Sequence, residues 1–231
     1  LSTTNVRLIS TANIASLTTA DYAGITTDQV AALTTAQIQA LETRDLVVLT
    51  SAHIQGLTTD QIVALSTSQV GALTTAQIAQ GLTTSQVAAL EVADFAALKT
   101  NQIAALTTTQ VAQGLTTDQV VALTTAQVAG LSTAQIAQGL TTDQVAALET
   151  RDLAAFKTNQ VAALTTSQIA QGLTTSQVAG LTSAGIAALT TTQVAQGLTT
   201  DQIVALSTTQ VGALTTAQIA QGLTTSQVAA L

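Results

Sequence analysis

The 231-residue chain has no cysteine, proline, methionine or tryptophan, and aromatic residues make up 1% of it. Without cysteine, a disulfide-bonded scaffold and any metal site built on thiolates are excluded. Charged residues are also scarce: the chain has five Lys and Arg and 12 Asp and Glu, which gives a formal net charge of -7. Binding a nucleic-acid backbone requires clustered basic residues that displace counterions, so nucleic acid is not an expected partner.

Long apolar runs are missing too, although the mean hydropathy is +0.45. A Thr-Thr pair or a Gln interrupts every unit, so no run reaches the roughly 18 apolar residues that a membrane-spanning helix requires. We therefore expect no membrane insertion. The sequence has no initiating Met and no signal peptide, and we interpret it as a fragment of a longer protein.

One short unit is repeated along almost the whole chain. Apolar anchor residues, nearly all Leu, recur from Leu17 to Leu231 at twenty intervals of eight residues and six of nine. The consensus is Leu-Thr-Thr-x-Gln-Val/Ile-Ala-Ala. We predict one repeat domain over residues 1–231, with irregular first units at 1–16 and regular repeats at 17–231. The nine-residue units end in Ala-Gln-Gly, at Gly81, Gly114, Gly139, Gly172, Gly197 and Gly222.

Each unit carries the signals of a short helix. In the unit that begins at Leu33, Thr34 and Gln37 have the spacing of a capping box, and Leu33 and Ile38 that of a hydrophobic staple. The Gly of a nine-residue unit falls where a left-handed C-cap is expected. These signals predict a helix of about one and a half turns in each unit.

The predicted fold class is an all-α solenoid of short capped helices, about three per superhelical turn. The number three comes from the commoner spacing of the repeat glycines, as from Gly172 to Gly197, which holds three units. The longer spacing, as from Gly81 to Gly114, implies an extra side or an imperfect register. A β-solenoid is the alternative, because Thr, Val and Ile favour strands. The apolar residues lie at offsets of three and five, however, which is the wrong period for a strand.

Three units are marked by charge, and they supply the candidate binding residues. Each Asp in these units stands where others have Gln, and we expect it still to serve the cap. The charges form either a recurring ligand or cation site, or Glu–Lys pairs that link adjacent units and fix their register. The candidates are Glu42, Asp45, Glu91, Asp94, Lys99, Glu149, Asp152 and Lys157.

No residue set for catalysis or for a cofactor is evident. His53 is the only histidine and has no nearby carboxylate cluster. Tyr22, Phe95 and Phe156 replace apolar residues of the repeat, so we expect them to fill the core. With no nucleophile–base pair, metal cluster or phosphate-binding loop, we expect no enzymatic activity and no cofactor.

From Leu17 to Leu231 the sequence resembles the low-complexity Leu-Thr-Thr-x-Gln-Val/Ile-Ala-Ala arrays of very large secreted Gram-negative bacterial proteins, often described as adhesion or haem-utilisation proteins. The resemblance implies extracellular display at a bacterial cell surface and a role as a spacer, stalk or adhesive segment. It gives no support for haem binding, because an axial ligand must be His, Met, Cys or Tyr.

We therefore expect a structural spacer, stalk or adhesive segment without catalysis, whose partners are neighbouring repeats of the same protein. One alternative is a self-assembling extracellular filament subunit, because the ends of an open solenoid allow end-to-end association. Another is an ice- or glycan-binding module that uses stacked rows of Thr, although these Thr residues are first of all expected to cap helices.

Overall fold

The computed structural model describes residues 2–231, which fall into two compact units, one that ends at Leu115 and one that runs from Thr116 to Leu231. Within residues 2–231 all regular structure is helical and no β-strand occurs, so the all-α prediction is confirmed and the β-solenoid alternative is wrong. In the first unit the helices are Thr3–Arg7, Thr11–Ser16, Thr19–Ala23, Thr27–Ala31, Thr35–Gln39, Thr43–Leu46, Ser51–Gln55, Thr59–Val63, Thr67–Val70, the π-helix Gln77–Gly81, Thr84–Ala89, Val92–Ala96, Thr100–Ala105 and Thr108–Gly114. In the second they are Thr117–Val121, Thr125–Val128, Gln135–Gly139 (π), Thr142–Ala147, Thr150–Leu153, Thr158–Ala163, Gln168–Gly172 (π), Thr175–Gly180, Ser183–Ala188, Gln193–Gly197 (π), Thr200–Val204, Thr208–Gly212, Gln218–Gly222 (π) and Thr225–Ala230.

Each helix is short because both of its ends are fixed by the repeat. The N-cap residue is extended, as at Thr107, where φ is -71° and ψ is 158°, and the helix starts at the next residue. An anchor Leu commonly ends the helix by returning to extended geometry, as at Leu106, where φ is -57° and ψ is 134°. Even the irregular first units follow this scheme, with Ser2 and Ser10 as N-caps.

In each of the two compact units, three successive helices make one coil, as predicted. Within one compact unit, each helix packs against the helix three places after it in the sequence. Along one side of the first unit, for example, Thr19–Ala23 packs on Thr43–Leu46, which packs on Thr67–Val70, which packs on Val92–Ala96. Coils therefore stack directly, and an isolated helix of this length would not be stable in water.

The anchor Leu and the Val/Ile of each unit form the core. Ile38 is fully buried and Leu41 is 4% exposed, and the same holds for their equivalents through most of the chain. Tyr22, Phe95 and Phe156 are also buried, which confirms that they fill the core. Since nearly all core side chains are of medium size, adjacent coils approach each other closely.

The nine-residue units end differently from the prediction. No glycine in residues 2–231 has a positive φ, so the expected left-handed C-cap is wrong. Instead the extra residue widens the last turn, and the Leu82 N–H donates to the Gln77 carbonyl, five residues back, at 2.9 Å. The glycine is needed for close approach, because a Cβ at Gly81 would lie 3.0 Å from the Cβ of Ile54 in the neighbouring coil.

The irregular spacing of these glycines has a simple geometric reason. The helices Gln168–Gly172, Gln193–Gly197 and Gln218–Gly222 are each the third helix after the one before, and they stack on one side. By contrast, Gln77–Gly81 packs on Thr100–Ala105, while Thr108–Gly114 packs on Thr84–Ala89, so their glycines lie on different sides. The longer interval between these two glycines holds four units and moves the glycine to the next side. The predicted extra side or imperfect register is therefore wrong.

Candidate functional site

The repeated Gln caps its own helix, as the capping box predicts. In the helix Thr108–Gly114, the Gln110 N–H donates to Thr107 Oγ1 at 3.1 Å, and Gln110 Oε1 accepts from the Thr107 N–H at 2.8 Å. The same reciprocal pair recurs in most units of both halves of the chain. Each pair satisfies two donors at a helix N-terminus that would otherwise lack a partner.

The other end of the same side chain joins two coils. Gln110 Nε2 donates to the carbonyl oxygens of Ile78, at 2.7 Å, and Leu82, at 2.6 Å, both in the preceding coil. We call this set of bonds the glutamine ladder. In the first unit it includes Gln37, Gln61, Gln69, Gln77, Gln86, Gln102 and Gln110, and in the second Gln160, Gln168, Gln177, Gln193, Gln202, Gln210, Gln218 and Gln227.

The ladder satisfies a buried amide almost completely. These Gln side chains are 1–4% exposed. The oxygen accepts from the N-cap N–H and the amide nitrogen donates to two carbonyls, so the amide leaves no donor unused. An unpaired buried polar group costs about 1–3 kcal/mol, so losing either set of bonds would be unfavourable. Each Gln therefore stabilises the start of its own helix and holds two coils in register.

The sequence predicts only the capping half of this arrangement. A capping box accepts Glu as readily as Gln, yet nearly every regular unit of the chain has Gln there. Of these two side chains, only the amide of Gln can accept at one atom and donate at another. The preference for Gln over Glu was therefore the signal in the sequence for the second role.

His53 takes the place of Gln in its unit and reproduces both contacts. Its Nδ1 accepts from the Thr50 N–H at 3.2 Å, and the ring also hydrogen-bonds to the Ile25 backbone. Burial lowers the pKa of His53, and the bond to Ile25 opposes that shift. His53 is therefore a structural substitute for Gln, because its ring serves the cap and also bonds to the preceding coil.

The charged units interrupt the ladder. Asp45, Asp94 and Asp152 occupy Gln positions and are buried, but a carboxylate has no donor to offer the carbonyls of the preceding coil. Within the described chain their carboxylates also form no hydrogen bond to their N-cap residues, so the prediction that they serve the cap is wrong. Asp94 and Asp152 instead accept from the hydroxyls of Thr67, at 2.5 Å, and Thr125, at 2.7 Å.

Asp45 is the least satisfied of the three. Both of its carboxylate oxygens lack a hydrogen-bond partner, and Arg44 Nε lies 3.8 Å away. Burial raises the pKa of Asp45, with Arg44 opposing and Glu42 adding to the shift. In the preceding coil, the Tyr22 hydroxyl donates to the Ile14 carbonyl at 2.7 Å. By the spacing of the ladder, a Gln at position 45 would donate to that carbonyl, so Tyr22 supplies a missing donor.

The remaining charged candidates lie on the surface and do not converge. Glu42 pairs with Arg44 at 2.8 Å, and Glu149 with Arg151 at 2.5 Å, each inside one unit. Lys99 and Lys157 are N-cap residues whose backbone N–H groups donate to Gln102 and Gln160. In residues 2–231 no ion pair joins Glu91 or Glu149 to these lysines, so the expected pairing of adjacent units is wrong.

No local group of acidic and histidine side chains has the composition of a metal centre. Among the residues that the structure describes, no three His, Cys, Asp or Glu side chains gather where they could hold an ion. In the same residues, no helix is long and apolar enough to span a membrane.

In the regular repeats, the first Thr of each pair is the N-cap, which confirms its predicted role, and the second begins the helix. In the first unit, one side carries a column of second-position threonines, one in each successive coil. Its members are Thr11, Thr35, Thr59, Thr84 and Thr108. The Glu42 and Glu91 units lie on a second side and the Lys99 unit on the third, so this column is interrupted by neither Glu nor Lys.

Short capped helices, three to a coil and joined by buried glutamines, define a helical repeat protein built as a solenoid. The sequence model of the ALTTAQ repeat matches residues 6–43, 38–75, 87–125, 121–150, 145–183 and 196–231. The chain belongs to the ALTTAQ repeat family. No curated protein matches it.

Proposed function

We propose that this chain is a non-catalytic structural segment, a spacer or stalk that also offers a repeated surface for adhesion. The observation that carries the proposal is the glutamine ladder, in which the buried polar groups serve contacts between coils. Such an array gains stability one coil at a time through nearest-neighbour contacts. Its length can therefore vary with the number of units while each coil keeps the same internal structure.

We place this segment at a bacterial cell surface or in the extracellular medium. The support is the resemblance of Leu17–Leu231 to the repeat arrays of very large secreted Gram-negative proteins. Antibodies raised against the chain test the location on intact cells of the organism that carries the gene. Labelling of intact cells, removed by external protease, is expected. Labelling that requires permeabilised cells would contradict the extracellular location.

A duplication within the second unit tests the spacer role. The segment 173–197 holds three units, two of eight residues and one of nine, and therefore one full coil. Stacked helices lie about 8–10 Å apart, so small-angle scattering should show an increase of that size in the largest dimension for each added coil. A control inserts the same segment in scrambled order, which destroys the caps. A duplication that gives no increase, or the same result as the scrambled control, would refute the spacer role.

A second candidate function is binding of ice or glycan by the threonine column of the first unit. The five threonines lie on consecutive coils, and a surface of this kind presents hydroxyl and methyl groups at a regular spacing. Replacing Thr35, Thr59 and Thr84 by Lys should abolish thermal hysteresis or glycan-array binding if the column carries the function. The matched control places Lys at three second-position threonines of the second unit that lie on three different sides, Thr117, Thr200 and Thr208.

A further inference from the structure

The three buried aspartates that occupy Gln positions differ in the positive charge beside them. Arg44 Nε lies 3.8 Å from Asp45 Oδ2, and Arg151 Nε lies 3.6 Å from Asp152 Oδ1. Both of these repeat units read Thr-Arg-Asp, whereas the third reads Val-Ala-Asp. Within residues 2–231 no Lys or Arg forms an ion pair with Asp94. Asp94 is therefore the one of the three without a cationic neighbour from the described chain.

The carboxylate of Asp94 is short of hydrogen-bond donors as well as of charge. Asp94 is 6% exposed, so its carboxylate is largely removed from water. Its Oδ1 accepts from the Thr67 hydroxyl at 2.5 Å, and among the described residues no donor reaches Oδ2. Burying a carboxylate is unfavourable unless an opposite charge and further hydrogen bonds compensate for the lost water. One neutral hydroxyl compensates for only part of that loss.

The groups opposite Asp94 in the preceding coil are acceptors too. Gln86, in the repeat unit before, donates to carbonyls 32 and 29 residues earlier, and the same offsets from Asp94 lead to Ile62 and Leu65. Ile62 and Leu65 are 1% and 3% exposed, and in residues 2–231 no donor reaches the Leu65 carbonyl. Buried acceptors thus face each other at a point where the glutamine ladder elsewhere places an amide N–H group.

The length of the Asp side chain sets the distance between these acceptors. Gln69 lies one coil earlier on the same side, and its Nε2 is 2.8 Å from each of its two carbonyl oxygens. Asp is one methylene shorter than Gln, so its oxygens stop about 1.5 Å farther away, about 4 Å from the carbonyl oxygens. That distance is too long for a hydrogen bond. Two oxygens that bind one cation at about 2.3–2.6 Å, however, can lie that far apart.

We infer that Asp94 binds one monovalent metal cation together with the backbone carbonyls of Ile62 and Leu65, and that Na⁺ is the ion that fits. The Thr67 hydroxyl oxygen lies beside the carboxylate and can serve as a further ligand. A single carboxylate neutralises a single positive charge. Ca²⁺ takes six to eight oxygens, commonly from several carboxylates, and in the described residues no three acidic side chains gather. The cation supplies the charge that an arginine supplies in the other two units, and it joins two coils where the ladder has no Gln.

Hydrogen exchange of the full chain at neutral pH tests this site with a control inside the same molecule. Segment 91–98 contains Asp94, and segment 149–156 contains Asp152 with its arginine. Exchange is followed by mass spectrometry while NaCl replaces tetramethylammonium chloride, whose cation is too large for the gap, at a constant ionic strength of about 0.3 M. At a Na⁺ concentration ten times the dissociation constant, exchange in segment 91–98 should slow about tenfold, because bound Na⁺ opposes local opening. Segment 149–156 should change by less than about twofold.

Three variants exchange the source of the positive charge. Ala93 is exposed, and Ala93→Arg places an arginine where Arg151 precedes Asp152. This change should make the exchange of segment 91–98 independent of Na⁺. Arg151→Ala should create a Na⁺ dependence in segment 149–156. Asp94→Gln restores the amide of the ladder and should also remove the Na⁺ dependence, and circular dichroism verifies that each variant keeps its helical content.

Several results would overturn the proposal. Exchange in segment 91–98 that does not slow up to about 0.3 M Na⁺ would show that the site does not bind the ion. Equal slowing of segments 91–98 and 149–156 would indicate a general effect of the salt. A Na⁺ dependence that persists in a folded Asp94→Gln chain would place the ion elsewhere. Slowing by about 1 mM CaCl₂ but not by NaCl would contradict the assignment to a monovalent cation.

Discussion

Replacing Gln69 by Met should cost far more stability than its lost bonds would cost on a surface. Gln69 is 2% exposed, and its Nε2 donates to Ile38 and Leu41 at 2.8 Å each, while its Oε1 accepts from Ser66 at 2.7 Å. Met fills nearly the same volume, so the cavity term is small. Three backbone groups lose their partner at about 1–3 kcal/mol each, which amounts to about 3–9 kcal/mol.

That loss is large against a typical domain stability of about 5–15 kcal/mol, and urea unfolding followed by circular dichroism will measure it. Because a repeat array opens locally, hydrogen exchange should show lost protection concentrated in the two coils that Gln69 joins. The control Ser68→Met alters an exposed neighbour and should stay within about 0.5 kcal/mol of the unaltered chain. A loss for Gln69→Met no larger than that of the control would show that the ladder contributes nothing to stability.

Three further variants probe the exceptions to the repeat. Asp45→Gln removes a buried carboxylate whose two oxygens lack a hydrogen-bond partner, and it should stabilise the chain by about 1–3 kcal/mol at neutral pH. Because burial raises the pKa of Asp45, the chain with Asp45 regains stability as pH falls, so this difference should shrink in acid unfolding titrations. Because the folded chain lowers the pKa of His53, the contribution of His53 to stability is complete above the unfolded value of 6.5 and is lost as pH falls below it. His53→Gln should remove that loss of stability in acid. An unchanged dependence of stability on pH would contradict the role of His53 as a substitute for Gln. Gly81→Ala should cost about 1–3 kcal/mol by thermal unfolding, because a Cβ there would lie 3.0 Å from Ile54 of the preceding coil. Gly212→Ala, with nothing within 4 Å of the added Cβ, should be neutral or stabilising.

The local part of the fold is predictable from the sequence because its causes are local. Thr107 and Gln110 lie three residues apart, and their capping box needs no knowledge of the rest of the chain. Helix length follows from the next anchor Leu in the same way. The number of helices per coil could be predicted only because some repeat glycines recur once per coil, so that their spacing counts the units in a coil.

Contacts between coils could not be predicted in the same way. Gln110 reaches Ile78 and Leu82, 32 and 28 residues earlier, and those partners are defined only once three helices make a coil. The left-handed C-cap at Gly81 was wrongly predicted for the same reason, because the sequence does not show what the neighbouring coil places there. Position 81 holds glycine because a Cβ would crowd Ile54, and not because the backbone needs a positive φ. It also explains why Asp94 was expected at a cap, when its partner is Thr67.

The interchangeable sides of the coil bear on how such a gene can change length. Slippage during DNA replication adds or removes whole units of eight or nine codons, a third of a coil at a time. Because units on all three sides carry the same Thr and Gln, a displaced unit meets equivalent carbonyls on its new side, as the shift of glycine between Gly81 and Gly114 illustrates. Selection would then act chiefly on the few positions where a Cβ would meet the neighbouring coil. The three-helix coil itself would still form after such an insertion or deletion.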